Sequence, residues 1–328
     1  MDLLKFTSRG IYCQLADVYL DPWKPVKKAL ITHAHSDHAR SGSREYLAHE
    51  HSAALLRLRL GKNISLQTVR YGEVVDINGV RFSFHPAGHI LGSAQIRVEH
   101  EGEVWVFSGD YKLENDGFSA AFEPVRCHTF ISESTFGLPV YRWKPQVEVF
   151  DEMNSWWANN AAQGICSVVI AYSLGKAQRI LKHLDQSTGE VFSHPSIYNM
   201  HQAMREHGHL LPSDSLFEKH VGNEKYKQSL LLIPPAADGG EWMQKLGPYE
   251  QAFASGWMQM RGTRRRSNAA KGFVLSDHAD WPGLNLAVEQ TGAERVIVTH
   301  GYTTPFAQWL CEKGIRGDVA KTDYSSEA

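Results

Sequence analysis

Short apolar runs, each followed by a side chain that can bind a metal ion, recur along the chain. Ala29-Leu30-Ile31 precedes a histidine-rich segment, and Val104-Trp105-Val106-Phe107 precedes Ser108-Gly109-Asp110. Arg295-Val296-Ile297-Val298-Thr299 ends at His300. Apolar runs of this length indicate buried β-strands. The pattern therefore predicts strands whose ends carry the polar chemistry.

The run from Gly79 to Phe84 repeats the pattern, and His89 follows it among glycines that let the backbone pass close to a site. A single histidine or aspartate at a strand end is more often held by a backbone amide than by a metal. Four such strand ends in one chain make that explanation weak. We therefore expect the residues that follow them to share one site.

The densest group of ligand candidates is His33-Ala34-His35-Ser36-Asp37-His38, which has four metal-binding side chains in six residues. Imidazole and carboxylate groups suit zinc and its first-row neighbours. One short loop cannot surround a single tetrahedral ion with four such groups, so the spacing predicts two adjacent metal ions. The alternative, a histidine-rich surface turn, leaves the His and Asp residues at the later strand ends unexplained.

This succession of motifs, with Gly88-His89, Gly109-Asp110 and a late His300, resembles the metallo-β-lactamase superfamily. Glu133 and His278, together with His300, resemble the additional acidic and histidine motifs of the β-CASP nucleases. That family contains the endonucleases that process mRNA 3′ ends, ribonuclease J and the Artemis-like DNA repair nucleases. All of them cut phosphodiesters.

Two further segments narrow the resemblance. Asp21-Pro22-Trp23 precedes the first metal motif, and Tyr172-Ser173-Leu174-Gly175-Lys176-Ala177-Gln178 lies between Glu133 and His278. Both segments are most similar to the bacterial ligase-associated DNA exonucleases. One residue departs from the family pattern, because Asp277 stands where many relatives have alanine. This carboxylate is expected to raise the pKa of the neighbouring His278.

The resemblance implies an α/β fold, namely a metallo-β-lactamase αββα sandwich with an inserted α/β β-CASP cap domain. The metal motifs stop near Glu133 and resume at Asp277, which places the insertion between them. The strand-like run from Ser167 to Ala171 and the helix-like run from Lys176 to Leu184 indicate that the cap is also α/β. The expected divisions are residues 1–142 for the first part of the core, 143–264 for the cap and 265–328 for the second part of the core.

The resemblance also implies the ligands and their roles. It assigns one metal to His33, His35 and His89, a second metal to Asp37, His38 and His300, and a bridging position to Asp110. Two cations a few Å apart can lower the pKa of a shared water and neutralise charge that develops on the phosphorus. His278 is the expected proton donor to the departing oxygen, and Glu133 is expected to orient it. Asp21 is expected to support Asp37 or His38.

Candidate contacts to a substrate phosphate lie in the predicted cap. Ser173 and Lys176 stand at a predicted helix start, where free backbone amides favour an anion, and Arg264 and Arg265 belong to a basic run. The alternative for the basic run is a solvated loop. The helix start lacks the GxxxxGK spacing of a nucleotide loop, so ATP binding is not predicted. Four histidines of the cap lack a carboxylate partner in the sequence pattern and are predicted to lie on the surface: His194, His201, His207 and His209.

The function that the resemblance implies is metal-dependent phosphodiester hydrolysis by a DNA exonuclease that acts on single-stranded ends in DNA repair. Two divalent metal ions, zinc or manganese, are the expected cofactors. The expected partners are nucleic acid and, by family resemblance, a DNA ligase and a helicase. The alternatives are a β-CASP ribonuclease that processes RNA, a small-molecule thioester or lactam hydrolase of the same fold, and a scaffold subunit without metals.

Composition changes this picture little. The chain has 328 residues with 42% apolar content, enough for one large core and a smaller domain. Its net charge of -2 argues against a protein that coats nucleic acid through charge alone. Four cysteines without CxxC spacing suggest neither a disulfide framework nor a thiolate zinc site. No membrane span or signal peptide is evident in the sequence, so we expect a cytoplasmic location.

Overall fold

The chain folds into two units, each with its own sheets and core. The computed structural model describes residues 2–218, 223–262 and 270–323. One unit comprises Met1–Arg142 with His278–Ala328, and the other comprises Trp143–Asp277. The predicted phosphate contacts Arg264 and Arg265, and the predicted boundary between residues 264 and 265, lie outside the described residues.

The first sheet of the first unit has six strands. They are β1 Lys5–Thr7, β2 Gly10–Cys13, β3 Val18–Leu20, β4 Lys28–Ile31, β5 Glu45–His49 and β6 Leu66–Val69, and they neighbour one another in sequence order. Strands β1 to β3 form an antiparallel meander, and β3 to β6 run parallel. A short 3-10 helix, Glu50–Ser52, and helix α1, Ala53–Leu60, follow β5. Because β3 to β6 are parallel, the carboxyl end of β4 lies at the same edge of the sheet as the carboxyl ends of its neighbours. The HxHxDH segment begins at this edge.

The second sheet has seven strands in the order β19-β18-β11-β10-β9-β8-β7. Their bounds are β7 Val74–Ile77, β8 Val80–Pro86, β9 Ala94–His100, β10 Glu103–Phe107, β11 Thr129–Ser134, β18 Arg295–Gly301 and β19 Arg316–Val319. Strands β7 to β10 are antiparallel, whereas β10, β11, β18 and β19 are parallel. Because β10, β11 and β18 are adjacent and parallel, their carboxyl ends meet at one edge.

The second sheet is covered on both faces. Along β11, Ile131 packs in a cluster with Leu30 of the first sheet and Phe107, while Phe130 belongs to a different cluster that contains Leu284 and Leu310. The last two residues lie on helices α5, Trp281–Thr291, and α6, Thr303–Glu312. Successive side chains of a strand point to opposite faces. The sheet therefore packs against the first sheet on one side and against two helices on the other.

The second unit contains a parallel six-stranded sheet, in the order β14-β13-β15-β12-β16-β17. Its strands are β12 Cys166–Ile170, β13 Val191–Ser193, β14 Ser215–Leu216, β15 Leu230–Ile233, β16 Tyr249–Ala254 and β17 Lys271–Phe273, and its helices are α2 Gln146–Ala162, α3 Lys176–His183 and α4 Pro195–Glu206. The 3-10 helices are Asn223–Tyr226, Pro235–Ala237, Glu241–Leu246 and Gly256–Gln259. Strands alternate with helices, so both units are α/β and the predicted fold class is confirmed at that level; the predicted αββα sandwich stays a prediction.

One predicted surface residue is buried. His201 on α4 is fully enclosed, and its Nδ1 atom lies 2.8 Å from Asp214 Oδ2. Arg205 donates to the other oxygen of Asp214 at 2.6 Å. The prediction of a surface position is therefore wrong for His201, because its carboxylate partner is 13 residues away in the sequence and no local pattern indicates it.

Among the helices that the structure describes, none is long and apolar enough to cross a membrane.

Candidate metal centre

Five strand ends of the first unit bring together the predicted ligands and Glu133. The HxHxDH segment follows β4, His89 follows β8 and Asp110 follows β10, while Glu133 and His300 are the next-to-last residues of β11 and β18. The close approach of two of these ends requires glycine at position 109. Its φ is +56°, and a Cβ there would lie 2.7 Å from the side chain of Thr32. Backbone at the end of β10 can therefore pack directly against the residue that precedes His33.

The first group of ligand atoms surrounds a common point. His33 Nε2 lies 3.2 Å from His35 Nδ1, and His89 Nε2 lies 3.0 Å from the same His35 atom. Asp110 Oδ2 is 3.4 Å from His33 Nε2 and 3.7 Å from His89 Nε2. The edges of a coordination tetrahedron are about 3.3 Å long when the metal–nitrogen distance is about 2.0 Å. These four residues therefore have the donor types and the spacing of a tetrahedral zinc-type site.

A second group shares Asp110 with the first. His38 Nε2 lies 3.3 Å from Asp110 Oδ2, and His300 Nε2 lies 2.9 Å from Asp110 Oδ1. The ligand atoms of these three residues are all within 4.8 Å of one another. The predicted ligand Asp37 is placed less closely, since its Oδ2 atom is 3.8 Å from His38 Nε2. The donor set thus fits a second cation beside the first, with Asp110 able to reach both.

Asp21 supports the second group from behind. It is fully buried, its Oδ2 atom lies 2.7 Å from His38 Nδ1, and it accepts hydrogen bonds from the Thr32 amide at 2.7 Å and the Thr32 hydroxyl. Thr32 Oγ1 is also 3.0 Å from His33 Nδ1. An outer partner of this kind fixes the tautomer and orientation of a ligating histidine. Of the two predicted partners of Asp21, the structure places His38 in contact with it.

Burial and the charges of neighbouring residues have opposite effects on the pKa of His38 and on the pKa of Asp110. Burial lowers the pKa of His33 well below 6.5, and the neighbouring His38 lowers it further. Burial opposes protonation of His38 too, but Asp110, Asp37 and Asp21 outweigh it and hold the pKa of His38 well above 6.5. Although burial disfavours its charge, Asp110 has a pKa well below 3.8, because His38, His300 and His278 surround it. Cations that bind here would take the place of protons.

Glu133 and His278 form a buried pair beside the ligand groups. His278 Nδ1 lies 3.0 Å from Glu133 Oε1 and 2.9 Å from Glu133 Oε2. The backbone amide of Tyr111 donates to Glu133 Oε1 at 2.8 Å. Glu133 and His278 also lie with Asp110 in one set of possible ligand atoms. The His278 ring is 4.7 Å from the ring of His89, so the imidazole stands at the border of the first ligand group.

In the second unit, the predicted phosphate contacts Ser173 and Lys176 each have a partner within the protein. Ser173 Oγ lies 3.2 Å from Ser196 Oγ, whereas Lys176 is almost fully buried. Its Nζ atom lies 3.5 Å from Asp277 Oδ2, and Arg179 Nε lies 3.5 Å from Asp277 Oδ1. The unexpected carboxylate of Asp277 thus has two cationic neighbours within its own unit.

Two residues that contact the HxHxDH segment could not be identified from sequence patterns. Thr32 directly precedes the motif, yet nothing in its pattern indicates bonds to both Asp21 and His33. Arg59 of α1 is a second case, because its guanidinium donates to the carbonyl oxygen of Ala34. Burial lowers the pKa of Arg59, while the charge of Asp37 raises it. Both contacts depend on elements that only the tertiary fold brings together.

The curated proteins with sequence similarity to this chain include the following three. A probable DNA ligase of Opitutus terrae is 30% identical over 310 residues, which are 94% of this chain and 30% of the ligase. The endoribonuclease YSH1 of Saccharomyces cerevisiae is 32% identical over 123 residues, which are 37% of this chain and 16% of that protein. Cleavage and polyadenylation specificity factor 73 of Drosophila melanogaster is 30% identical over 123 residues, 37% of this chain and 18% of the factor. The chain therefore spans less than a third of the length of these relatives.

No protein-family model matches the chain. Among solved structures, a protein of unknown function from Enterococcus faecalis V583 superposes with a TM-score of 0.61 at 10% identity, over 91% of this chain and 80% of that one. At that identity the likeness concerns the fold alone. The sequence relatives are consistent with the metallo-β-lactamase and β-CASP family, while the more specific likeness to ligase-associated exonucleases stays a prediction.

Proposed function

We propose that the protein is a metal-dependent nuclease that hydrolyses phosphodiester bonds. The observation that carries this proposal is the position of Asp110, whose Oδ2 atom faces His33 and His38 at 3.4 and 3.3 Å while Oδ1 faces His300 at 2.9 Å. A carboxylate between two such histidine groups suits a pair of adjacent divalent cations. Paired cations are the common solution for in-line displacement at phosphorus.

The proposed ligand sets follow the two groups. His33, His35 and His89 would hold one cation, zinc or manganese, and His38 and His300 would hold the other with Asp37, while Asp110 would serve both. When bound, the two cations would supply an acidified water and neutralise charge on the phosphoryl oxygens. Asp21 and Thr32 hold the imidazoles of His38 and His33 in the orientation that this task needs.

His278 would transfer the proton that the departing sugar oxygen requires. Glu133 contacts His278 Nδ1 with both oxygens, and Nε2 is the nitrogen that we propose to deliver the proton. A carboxylate at Nδ1 stabilises the protonated imidazole and fixes its orientation. The arrangement separates two tasks, since the histidines around Asp110 bind cations and His278 moves a proton.

The proposed substrate is DNA with a single-stranded end, and the proposed setting is DNA repair. Similarity to a protein described as a DNA ligase, over 94% of this chain, supports DNA and a ligase as partner; a helicase partner rests on the family resemblance alone. Relatives described as an endoribonuclease and a cleavage and polyadenylation specificity factor support RNA as the second candidate. Ser173, Lys176, Arg264 and Arg265 remain the proposed phosphate contacts, and residues 143–264 the proposed cap. Lys176 would then exchange its contact with Asp277 for one with phosphate.

The test uses metal-stripped protein with zinc or manganese restored, and single-stranded DNA and RNA of one sequence labelled at either end. We expect stepwise loss of nucleotides from one end of DNA. His33→Ala should abolish it, whereas His207→Ala, which alters an exposed histidine, should not. Preferred cleavage of RNA would select the second candidate. Absence of cleavage on both polymers, with metals bound, would refute the nuclease and favour a small-molecule hydrolase.

A further inference from the structure

Tyr302 stands at the border of the candidate metal centre and has no part in the proposed chemistry. It follows His300 by two residues, beyond the end of β18. Its backbone amide donates to the carbonyl oxygen of Ser134 at 2.9 Å, and Ser134 is the last residue of β11, next to Glu133. The backbone of Tyr302 is therefore fixed to the two strands that carry His300 and Glu133.

The hydroxyl end of Tyr302 is fixed as well. Its oxygen lies 3.1 Å from the hydroxyl oxygen of Tyr141, and the two rings are 5.8 Å apart at 36°. Tyr141 is itself immobilised, because it is buried, its amide donates to Leu138 O at 3.0 Å and its carbonyl accepts from the Trp281 amide at 3.0 Å. A phenol held at both ends loses little conformational freedom when a ligand packs on it.

Aromatic contacts join this phenol to the proposed proton donor. The ring of Phe136 is 4.9 Å from the ring of Tyr141 and 6.1 Å from the ring of His278. Phe136 and Tyr141 are buried, whereas Tyr302 is only half-buried. Tyr302 is thus the least buried of these three aromatic residues, and ring contacts through Tyr141 and Phe136 connect it to His278.

We infer that the ring of Tyr302 is a stacking platform for the nucleobase on the leaving-group side of the scissile bond, which makes Tyr302 a substrate-positioning residue. This inference rests on the proposed function. His278 donates its proton to the departing oxygen, so the nucleoside that carries that oxygen must lie on the His278 side. A stack on an aromatic ring is tolerant of base identity, because every base has a π-face. Such a platform suits a nuclease that shortens ends regardless of sequence.

The test compares cleavage of one bond in three single-stranded DNA oligonucleotides, or in RNA if RNA proves the better substrate. One is intact, and the other two carry a single abasic residue on one or the other side of that bond. We expect wild-type kcat/KM to fall by roughly 5- to 150-fold for the abasic residue on the leaving side, the range that the loss of one stack spans. The abasic residue on the other side should have a smaller effect.

Substitutions then assign the effect to the ring. Tyr302→Leu should lower kcat/KM on intact DNA by the same factor and show no further loss on the leaving-side abasic DNA. Tyr302→Phe keeps the ring, so most of the difference in kcat/KM between intact and leaving-side abasic DNA should remain. The matched control is Tyr12→Leu, which removes a partly exposed ring that stacks on Tyr19 in the first sheet. This variant should show the same ratio of kcat/KM on intact and leaving-side abasic DNA as the wild type.

Wild-type protein that cleaves intact and leaving-side abasic DNA equally well would overturn the inference and leave the nuclease intact. The same holds if Tyr302→Leu loses activity by one factor on all oligonucleotides, since that pattern belongs to a structural role. Should Tyr302→Leu fail to fold, the wild-type comparison still decides. A wild-type protein without any cleavage would refute the proposed function and the inference with it.

Discussion

At the scale of single residues, the proposed function gives the six histidines of the centre unequal tasks. Five of them face Asp110 or one another as ligand candidates, whereas His278 turns its Nδ1 atom to Glu133. A ligand and a proton donor fail differently when they are removed. Loss of a ligand should remove a cation together with the activity, while loss of the donor should leave the cations in place.

This difference gives the first prediction. His278→Ala should keep both metals and lower the rate of cleavage by about 10²- to 10⁴-fold, the usual contribution of general acid catalysis. His300→Ala should lose metal and all measurable cleavage. Metal content by plasma emission spectrometry and single-turnover rates would be measured on the same samples. Full activity in either variant would remove that residue from its proposed role, and Glu133→Gln should resemble His278→Ala because it weakens the contact that orients the imidazole.

A histidine outside the centre provides the second prediction. His49, at the end of β5, is buried and its ring stacks on Tyr71 at 3.5 Å. Burial, reinforced by the charge of His51, lowers the pKa of His49 from 6.5 to about 4. A depressed histidine pKa stabilises the fold above pH 6.5, and this stability is lost as the pH falls toward 4. From pH 7 to pH 5, His49 should therefore account for about 2 kcal/mol of the decrease in unfolding free energy.

Urea unfolding of wild type and His49→Asn at the two pH values measures this contribution. In the wild type, His49 Nδ1 accepts a hydrogen bond from the backbone amide of His51 at 3.3 Å. Asparagine also provides an acceptor for this amide, but its side chain does not titrate. The variant should lose correspondingly less stability on acidification than wild type. His207→Asn is the control, because His207 is exposed. Equal acid sensitivity of wild type and His49→Asn would show that His49 does not carry the effect.

At the scale of elements, the end of β18 decides where His300 and Tyr302 lie. Gly301 has a φ of +79°, and a Cβ there would overlap the carbonyl oxygen of Ser134. Gly314 has nearly the same φ, +82°, but nothing within 4 Å of its Cβ position. The two glycines therefore separate the effect of backbone conformation from the effect of close approach.

The third prediction uses this pair. Gly314→Ala should lower the unfolding free energy by about 1 kcal/mol, the ordinary effect of alanine at positive φ. Gly301→Ala should lower it further, because β18 must move away from β11, and it should also weaken metal binding through His300. Urea unfolding and metal titration of both variants test this. Equal loss of stability in the two variants would contradict the close packing of β18 on β11.

Individual elements were more predictable than their partners. The predicted strand from Ser167 to Ala171 corresponds to β12 Cys166–Ile170, and the predicted helix from Lys176 to Leu184 corresponds to α3 Lys176–His183. The strand after Gly79 runs two residues further than predicted, to Pro86. The pairing of strands could not be predicted in the same way. Strand β11 lies beside β18, with Glu133 opposite Thr299, and no local sequence pattern indicates a contact between residues so far apart in the chain. Ligand types were thus readable from strand ends, whereas the contacts of Asp21 with Thr32 and of His201 with Asp214 were not.

At the scale of the whole molecule, the two units have separate hydrophobic clusters. In the first unit, one cluster contains Phe82 and Ile131. In the second unit, one contains Trp157 and Val169. Every candidate metal ligand belongs to the first unit. A ligand that binds only the folded form stabilises the structure that holds its site. Metal should therefore stabilise the first unit and leave the second unit unchanged.

The fourth prediction follows for calorimetric unfolding. Metal-stripped protein should show two transitions, and addition of zinc or manganese at 100 times the dissociation constant should raise the unfolding free energy of one of them by about 2.7 kcal/mol per bound ion. His33→Ala should abolish most of that shift without moving the other transition, and His207→Ala should preserve it. If metal raises the unfolding free energy of both transitions, the two units are thermodynamically coupled and do not unfold independently. If neither rises, the histidine groups around Asp110 do not bind the added metal.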